Sequence, residues 1–109
     1  MTINPVTKGL PPVHPGAILR EETLPRLRHA DTGKKVTKIE FAAALDITRQ
    51  MLDLILNGKQ GISVAHAIRL AKILGTTPDL WINLQIQYEL RVAADKIDLS
   101  TLPTFATAA

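Results

Sequence analysis

The sequence predicts an all-α bundle of about five short helices. Three observations lead there. Apolar residues recur at three- and four-residue spacing from position 14 to about position 94, and no stretch alternates apolar and polar side chains as a strand does. Thr37, Thr48, Ser63 and Thr77 each stand just ahead of such a run, where a side-chain oxygen can accept from the free N–H groups of a helix start. Asn57-Gly58 and Gly75 stand where runs end, in the place that favours a left-handed backbone.

Residues 1–13 are rich in proline and turn formers and read as an N-terminal arm. In the next segment, Pro15 suits a first helical turn, where its missing N–H costs nothing. Ile18, Leu19 and Glu22 to Leu24 continue a short helix, which Pro25 must end or kink. Residues 28–36 read as a polar loop. Thr37 caps the second helix, and Glu40 three residues later completes a capping box. Ile39, Phe41, Ala42 and Leu45 supply its apolar spacing, and the small residues Ala42, Ala43 and Ala44 permit close approach of another helix. After a short turn at Asp46-Ile47, Thr48 caps a third helix, with Met51, Leu52 and Ile55 on one side and Leu54 and Leu56 on its flanks. Ser63 caps a fourth, in which Val64, Ala67, Ile68, Ala71 and Leu74 recur. Thr77 caps a fifth, with Pro78 at its first position, Asp79 in its first turn, and Leu80, Trp81, Leu84, Tyr88 and Leu90 among its apolar residues. Residues 14–94 thus read as one domain with a C-terminal helix, and residues 95–109 as a flexible tail.

A chain of 109 residues is one domain's worth, modestly stable alone and helped by dimerisation. It has no cysteine, hence neither a disulfide framework nor a thiolate metal site. No basic segment followed by an apolar run opens it, and no stretch approaches a membrane span, so the expected compartment is the cytoplasm. The formal charge of +3 is compatible with nucleic acid. Lys34, Lys35, Lys38, Arg49, Lys59 and Arg69 gather around the central segment, diluted by Asp31, Glu40, Asp46 and Asp53.

Two short helices joined by so tight a turn must cross steeply, which is the helix-turn-helix unit that offers its second helix to the DNA major groove. The same pattern also suits an inert helical pair. On the DNA reading, Thr48 caps the recognition helix and touches the backbone, while Arg49 and Gln50 project from its exposed start. Arginine bonds guanine bidentately, and glutamine does the same to adenine. Asp53, one turn on, could orient Arg49, accept from cytosine, or repel wrong sites. Lys38 and Lys59 are candidates for phosphate contacts.

Other residue types give weaker signals. His14, His29 and His66 share no ligand spacing, so no metal is expected, and no cofactor either. His14 reads as a helix-start or surface residue, and His66 as facing solvent or a neighbouring helix. Glu21-Glu22 point apart on a helix and have no nucleophile beside them, and there is no glycine-rich phosphate loop, so no enzymatic role is expected. Trp81 and Tyr88, seven residues apart, share one helix face that serves either core packing or a dimer interface. Ile82 and Ile86 add a second apolar stripe, and a helix apolar on two sides needs two neighbours, hence the expectation of a homodimer through Trp81, Ile82, Ile86 and Tyr88.

The segment VTKIEFAAALDITRQMLDLILNGK resembles the Cro/C1-type (Xre) helix-turn-helix. With HPGAILREETLPRL before it and NGKQGISVAHAIRLAKILGTTPDLWINLQIQYEL after it, the chain resembles HigA-type antitoxins, the VapI-like addiction-module family, over roughly residues 13–92. The resemblance implies a lambda-repressor-like bundle and a homodimeric cytoplasmic repressor. It implies two partners besides a second copy: double-stranded operator DNA and a cognate RelE/HigB-like mRNA-cleaving toxin, with neither a membrane nor a small-molecule substrate. A stand-alone Xre-family regulator without a toxin is the alternative, and a pure protein-interaction module a third. Lys38 stands where the family commonly has a phosphate-contacting Gln, Asp46 replaces the usual turn Gly, and Asp53 stands where Ser or a similar small polar residue is common. The loop around Asp31–Lys35 is longer than in many relatives.

Overall fold

A computed structural model describes residues 12–108, so most of the arm expected at 1–13 lies outside the described residues. The chain opens with helix α1 (Pro15–Ile18), capped by His14, whose Nδ1 accepts from the Gly16 N–H at 2.9 Å. Pro25 cannot continue a regular helix, and the turns around it depart from α geometry. The backbone widens through one π turn (Leu19–Thr23), in which the Leu24 N–H reaches back to the Leu19 carbonyl, and then tightens into one 3-10 turn (Leu24–Arg26). Residues 27–36 make a tight reversal rather than an open loop. The His29 N–H bonds the Lys34 carbonyl at 2.8 Å, the Val36 N–H bonds the Leu27 carbonyl at 3.2 Å, and Gly33 turns the chain with φ 71°. A single antiparallel bridge joins Arg28 to Lys35, and there is no longer strand among the described residues.

Helix α2 (Lys38–Ala44) begins with the expected capping box: the Glu40 N–H donates to Thr37 Oγ1 at 3.1 Å, and the Thr37 N–H donates to Glu40 Oε1 at 3.0 Å. Bonds from Thr37, and lesser help from His29 at 2.6 Å, hold the Glu40 carboxyl below its ordinary range. Helices α3 (Arg49–Leu56), α4 (Val64–Leu74) and α5 (Pro78–Ala94) come next, capped by Thr48, Ser63 and Thr77. Gly75 ends α4 at φ 69°, the left-handed stop expected of it. Ser63 forms a reciprocal box with His66, which the sequence did not suggest.

Leu19 and Leu24, Phe41, Ala42 and Leu45, Leu52, Ile55 and Leu56, Ile62, Ala67, Leu70 and Trp81 form one buried cluster to which α2, α3, α4, α5 and the turns after α1 all contribute. Fully burying a side chain of this size stabilises by roughly 1.5–3 kcal/mol. Several inward expectations are corrected. Ile39 is 67% exposed, because it lies about 110° around the helix from the mean direction of Phe41, Ala42 and Leu45. Ile68 is exposed for the same reason, since Ala67, Leu70 and Ala71 take the inner face of α4, and Val64 is exposed as the first residue of that helix. Of the three alanines, Ala42 alone is buried.

The loop before α4 is clasped by Gln85, only 6% exposed, whose Oε1 accepts from the Ile62 N–H at 2.8 Å while its Nε2 donates to Glu89 at 3.2 Å. Beyond α5 the chain leaves the body, and Ile97, Leu99, Leu102 and Phe105 are all exposed. His14 is not a surface residue: it is 7% exposed and meets Tyr88 edge-on with ring centroids 4.8 Å apart, tying the start of α1 to α5. Burial pushes its pKa below the ordinary 6.5, with Glu89 opposing, and burial together with Arg69 pushes His66 the same way. A histidine whose pKa is lowered on folding takes its proton more readily in the unfolded chain, so its neutral-form stability is fully present above pH 6.5 and is lost as pH falls below that value. Thermal melts from pH 7.5 to 5.5 are expected to show a falling Tm, with a shallower slope for His14→Asn, which keeps a capping acceptor. Equal slopes would contradict this role for His14.

Candidate nucleic-acid interface

The turn between α2 and α3 is short because its backbone bonds return to α2. The Asp46 N–H reaches the Ala43 carbonyl and the Ile47 N–H reaches the Ala42 carbonyl, each at 3.0 Å. The reversal requires φ 59° at Asp46, the only positive φ on a non-glycine among the described residues. Aspartate tolerates this conformation better than most side chains, which fits its standing where the resembled family has a turn glycine. Asp46 also meets Arg69 of α4 at 3.8 Å, a link between turn and body that no local pattern in the sequence suggests.

Thr48 then starts α3 by accepting from the Met51 N–H at 3.0 Å. Leu52, Ile55 and Leu56 turn inward and seat the helix; Leu56 is core rather than flank. The remaining face, at 100° per residue, carries Arg49, Asp53, Gln50 and Leu54 in angular order. Three of the candidates form one cluster. Asp53 receives Arg49 Nε at 3.4 Å on one oxygen and Lys38 Nζ at 3.7 Å on the other, bridging α3 to the start of α2. Exposed pairs at such distances are worth about 0–1 kcal/mol, so both cations release at little cost. Gln50 is exposed, and its amide has no partner among the described residues. Lys59 comes just after Gly58 (φ 73°) at the far end of α3, about 12 Å along the axis from Thr48, and is not in the cluster. Leu54, 40% exposed one turn after Gln50, was not among the expected contacts. Its angle opposite Leu52 was the available signal, and an apolar side chain there suits a thymine methyl.

The cluster can present two cations, one amide, one carboxylate and one methyl surface to a polyanion with a patterned groove, and it contains no group arranged for bond cleavage. The three histidines serve separate ends: His14 and His66 cap helices and His29 pairs with Glu40. No helix is long and apolar enough to cross a membrane among the described residues.

The four residues expected at a dimer interface are divided by the fold. Trp81 is 3% exposed, with its Nε1 donating to Thr76 Oγ1 at 2.8 Å, so it belongs to the chain's own core. Tyr88 is half-buried against His14. Ile82 is half-buried, and Ile86 is 44% exposed on the outward side of α5.

Comparison with known proteins agrees with the helix-turn-helix fold. The helix-turn-helix family matches residues 33–81, which span α2, the turn, α3, α4 and the start of α5. Virulence-associated protein A' of Dichelobacter nodosus is 34% identical over 98 residues, covering 85% of this chain and 78% of its own. An addiction module antidote protein of a HigA family from Coxiella burnetii superposes with TM-score 0.68 at 36% identity, covering 87% of this chain and all (100%) of that one. The antitoxin HigA of Pseudomonas aeruginosa, solved with the higBA promoter, gives TM-score 0.69 at 32% identity over 86% of this chain and 99% of the other.

Proposed function

This chain belongs to the HigA-type family of helix-turn-helix proteins, and on that footing we propose that it is an antitoxin that binds operator DNA through α3, represses its own operon, and neutralises a RelE/HigB-like mRNA-cleaving toxin. The observation that supports this most is the outward face of α3. Arg49, Gln50, Asp53 and Leu54 are presented away from the core at the start of a capped helix, in the fold that the Pseudomonas aeruginosa antitoxin brings to its promoter. Arg49 and Gln50 read guanine and adenine, and Lys38 and Lys59 hold phosphates on either side. A homodimer sets two such helices on a palindromic operator about 34–36 Å apart. Its interface uses Ile86 on the outward side of α5 and the open edge of half-buried Ile82, with Trp81 acting only through the core behind them.

Asp53 is a brake in this scheme. It lowers the cost of leaving wrong DNA by holding Arg49 and Lys38 when no matching base or phosphate competes for them. Asp53→Asn is expected to strengthen binding to a random duplex about fivefold and to steepen the salt dependence by about one counterion. Fluorescence anisotropy over a salt series measures both, and unchanged random-duplex affinity would contradict the role. The toxin partner is tested by purifying the tagged chain from cells expressing its complete native operon. A stoichiometric small basic protein is the expected companion. Recovery of the folded chain alone would favour a stand-alone regulator.

A further inference from the structure

Beside the α2–α3 unit, between the end of the α1 segment and the entry to α2, lies a cavity of about 340 Å³, of whose lining the DNA reading uses Lys38 alone. Leu24, Pro25 and Val36 supply an apolar wall, and Arg20, Lys35 and Lys38 supply cations, with no acidic residue in the lining. Its size falls at the lower end of sites for small organic ligands. Arg20 is held in place, with one guanidinium nitrogen donating to the Leu56 carbonyl at 3.1 Å and another pairing with Glu21 at 2.9 Å. Lys35 has no side-chain partner among the described residues, and Lys38 makes only its loose 3.7 Å contact with Asp53.

We propose that this cavity binds a small monocarboxylate with an apolar body, of medium-chain fatty-acid size, and that its occupancy weakens DNA binding. The carboxylate sits between Lys35 and Lys38 and the hydrocarbon lies on Leu24, Pro25 and Val36. A neutral apolar molecule would leave the cations unmatched, and a bare anion would leave the wall wet. The coupling comes from Lys38, which lines the cavity and also belongs to the cluster on Asp53. A ligand carboxylate competes for its ammonium, drawing it from the phosphate position and leaving Asp53 to hold Arg49 alone. By linkage, operator DNA weakens the ligand by the same factor. This regulatory step rests on the proposal that α3 binds operator DNA; the site itself does not.

The site is tested first without DNA, by following backbone amide NMR signals as octanoate, acetate and n-octylamine are added to the full chain. Octanoate is expected to shift Leu24, Val36 and Lys38 saturably, acetate to need about tenfold more or higher concentration, and n-octylamine to leave them in place. Lys35→Glu is expected to weaken octanoate about fivefold or more while keeping the dispersed spectrum of the folded chain. Equal action of octanoate and n-octylamine, no shift with octanoate, or unchanged affinity in folded Lys35→Glu would overturn the site. In a second arm, saturating octanoate is expected to weaken binding to the operon's upstream DNA severalfold in the original chain but not in Lys38→Gln. Saturable octanoate binding with unchanged DNA affinity overturns the coupling. Octanoate binding by a chain that binds no DNA overturns the operator reading while the site stands.

Discussion

Replacing Arg49 or Gln50 by alanine is expected to cut the preference for operator over random DNA by about 1–3 kcal/mol each, roughly 5- to 150-fold, because each removes one bidentate contact to a base edge. Neither change should disturb the fold. Both side chains are exposed, and the cap of α3 is made by Thr48 while its seat is made by Leu52, Ile55 and Leu56. The two variants should nevertheless differ. Gln50 is free of partners, so its loss acts on the operator alone. Arg49 is held by Asp53, so its loss also leaves that carboxylate facing phosphate with Lys38 as its one remaining cation. Gln50→Ala should keep its affinity for random DNA, and Arg49→Ala should lose some of it. Lys38→Gln should weaken both kinds of DNA evenly, as a phosphate contact does. Competition anisotropy with operator and scrambled duplexes separates these outcomes. Uniform loss across all three variants would contradict the assignment of bases to α3.

Gly16→Ala is expected to destabilise the protein by about 3 kcal/mol, the largest effect of a glycine-to-alanine change among the described residues. A Cβ at Gly16 would overlap the backbone carbonyl of Ile55 and crowd His14 Nδ1 at 3.0 Å, and neither neighbour is the free end of a flexible side chain. Helix α1 would have to back away from α3, opening the buried cluster to which Leu19, Leu52 and Ile55 belong. Gly33→Ala is the matched control. Its φ of 71° imposes a backbone cost of about 1 kcal/mol, but nothing lies within 4 Å of the added methyl. Urea denaturation of both variants makes the comparison, and a loss in Gly16→Ala no larger than in Gly33→Ala would contradict the close approach. The His-Pro-Gly opening then has a physical meaning: a cap, a first-turn residue without an N–H, and the one residue small enough to lie on the α3 backbone.

Helix starts were legible because a cap is a local event. Thr37 with Glu40, and Thr48, Ser63 and Thr77, sit within three residues of the N–H groups they satisfy, and each does so in the structure. The short turn at Asp46-Ile47 was legible from the residues, but its left-handed backbone only from the family resemblance, which puts Asp46 in the place of a glycine. Burial was less so in helices of seven or eight residues, where two or three side chains decide the inner face. Ile39 and Leu54 are as apolar as Leu56, and they face out because their helical angles lie away from the buried residues of α2 and α3, a signal that apolar spacing alone does not weigh. The least legible features join distant parts of the chain: Gln85 to Ile62, His14 to Tyr88, and the cations of the α1 and α2 segments around one cavity. No local pattern announces a contact across tens of residues. In the site, residue identity placed Arg49, Gln50 and Asp53 on α3, but the convergence of Lys38 and Arg49 on one carboxylate required the helix crossing.

Whether α3 reads DNA is decided by hydroxyl-radical footprinting on the DNA upstream of the chain's own operon. The expected pattern is two protected patches about one helical turn apart, lost first in Arg49→Ala and Gln50→Ala and weakened by salt. Protection that spreads evenly along the duplex, or a discrete footprint unchanged in both variants, would contradict it.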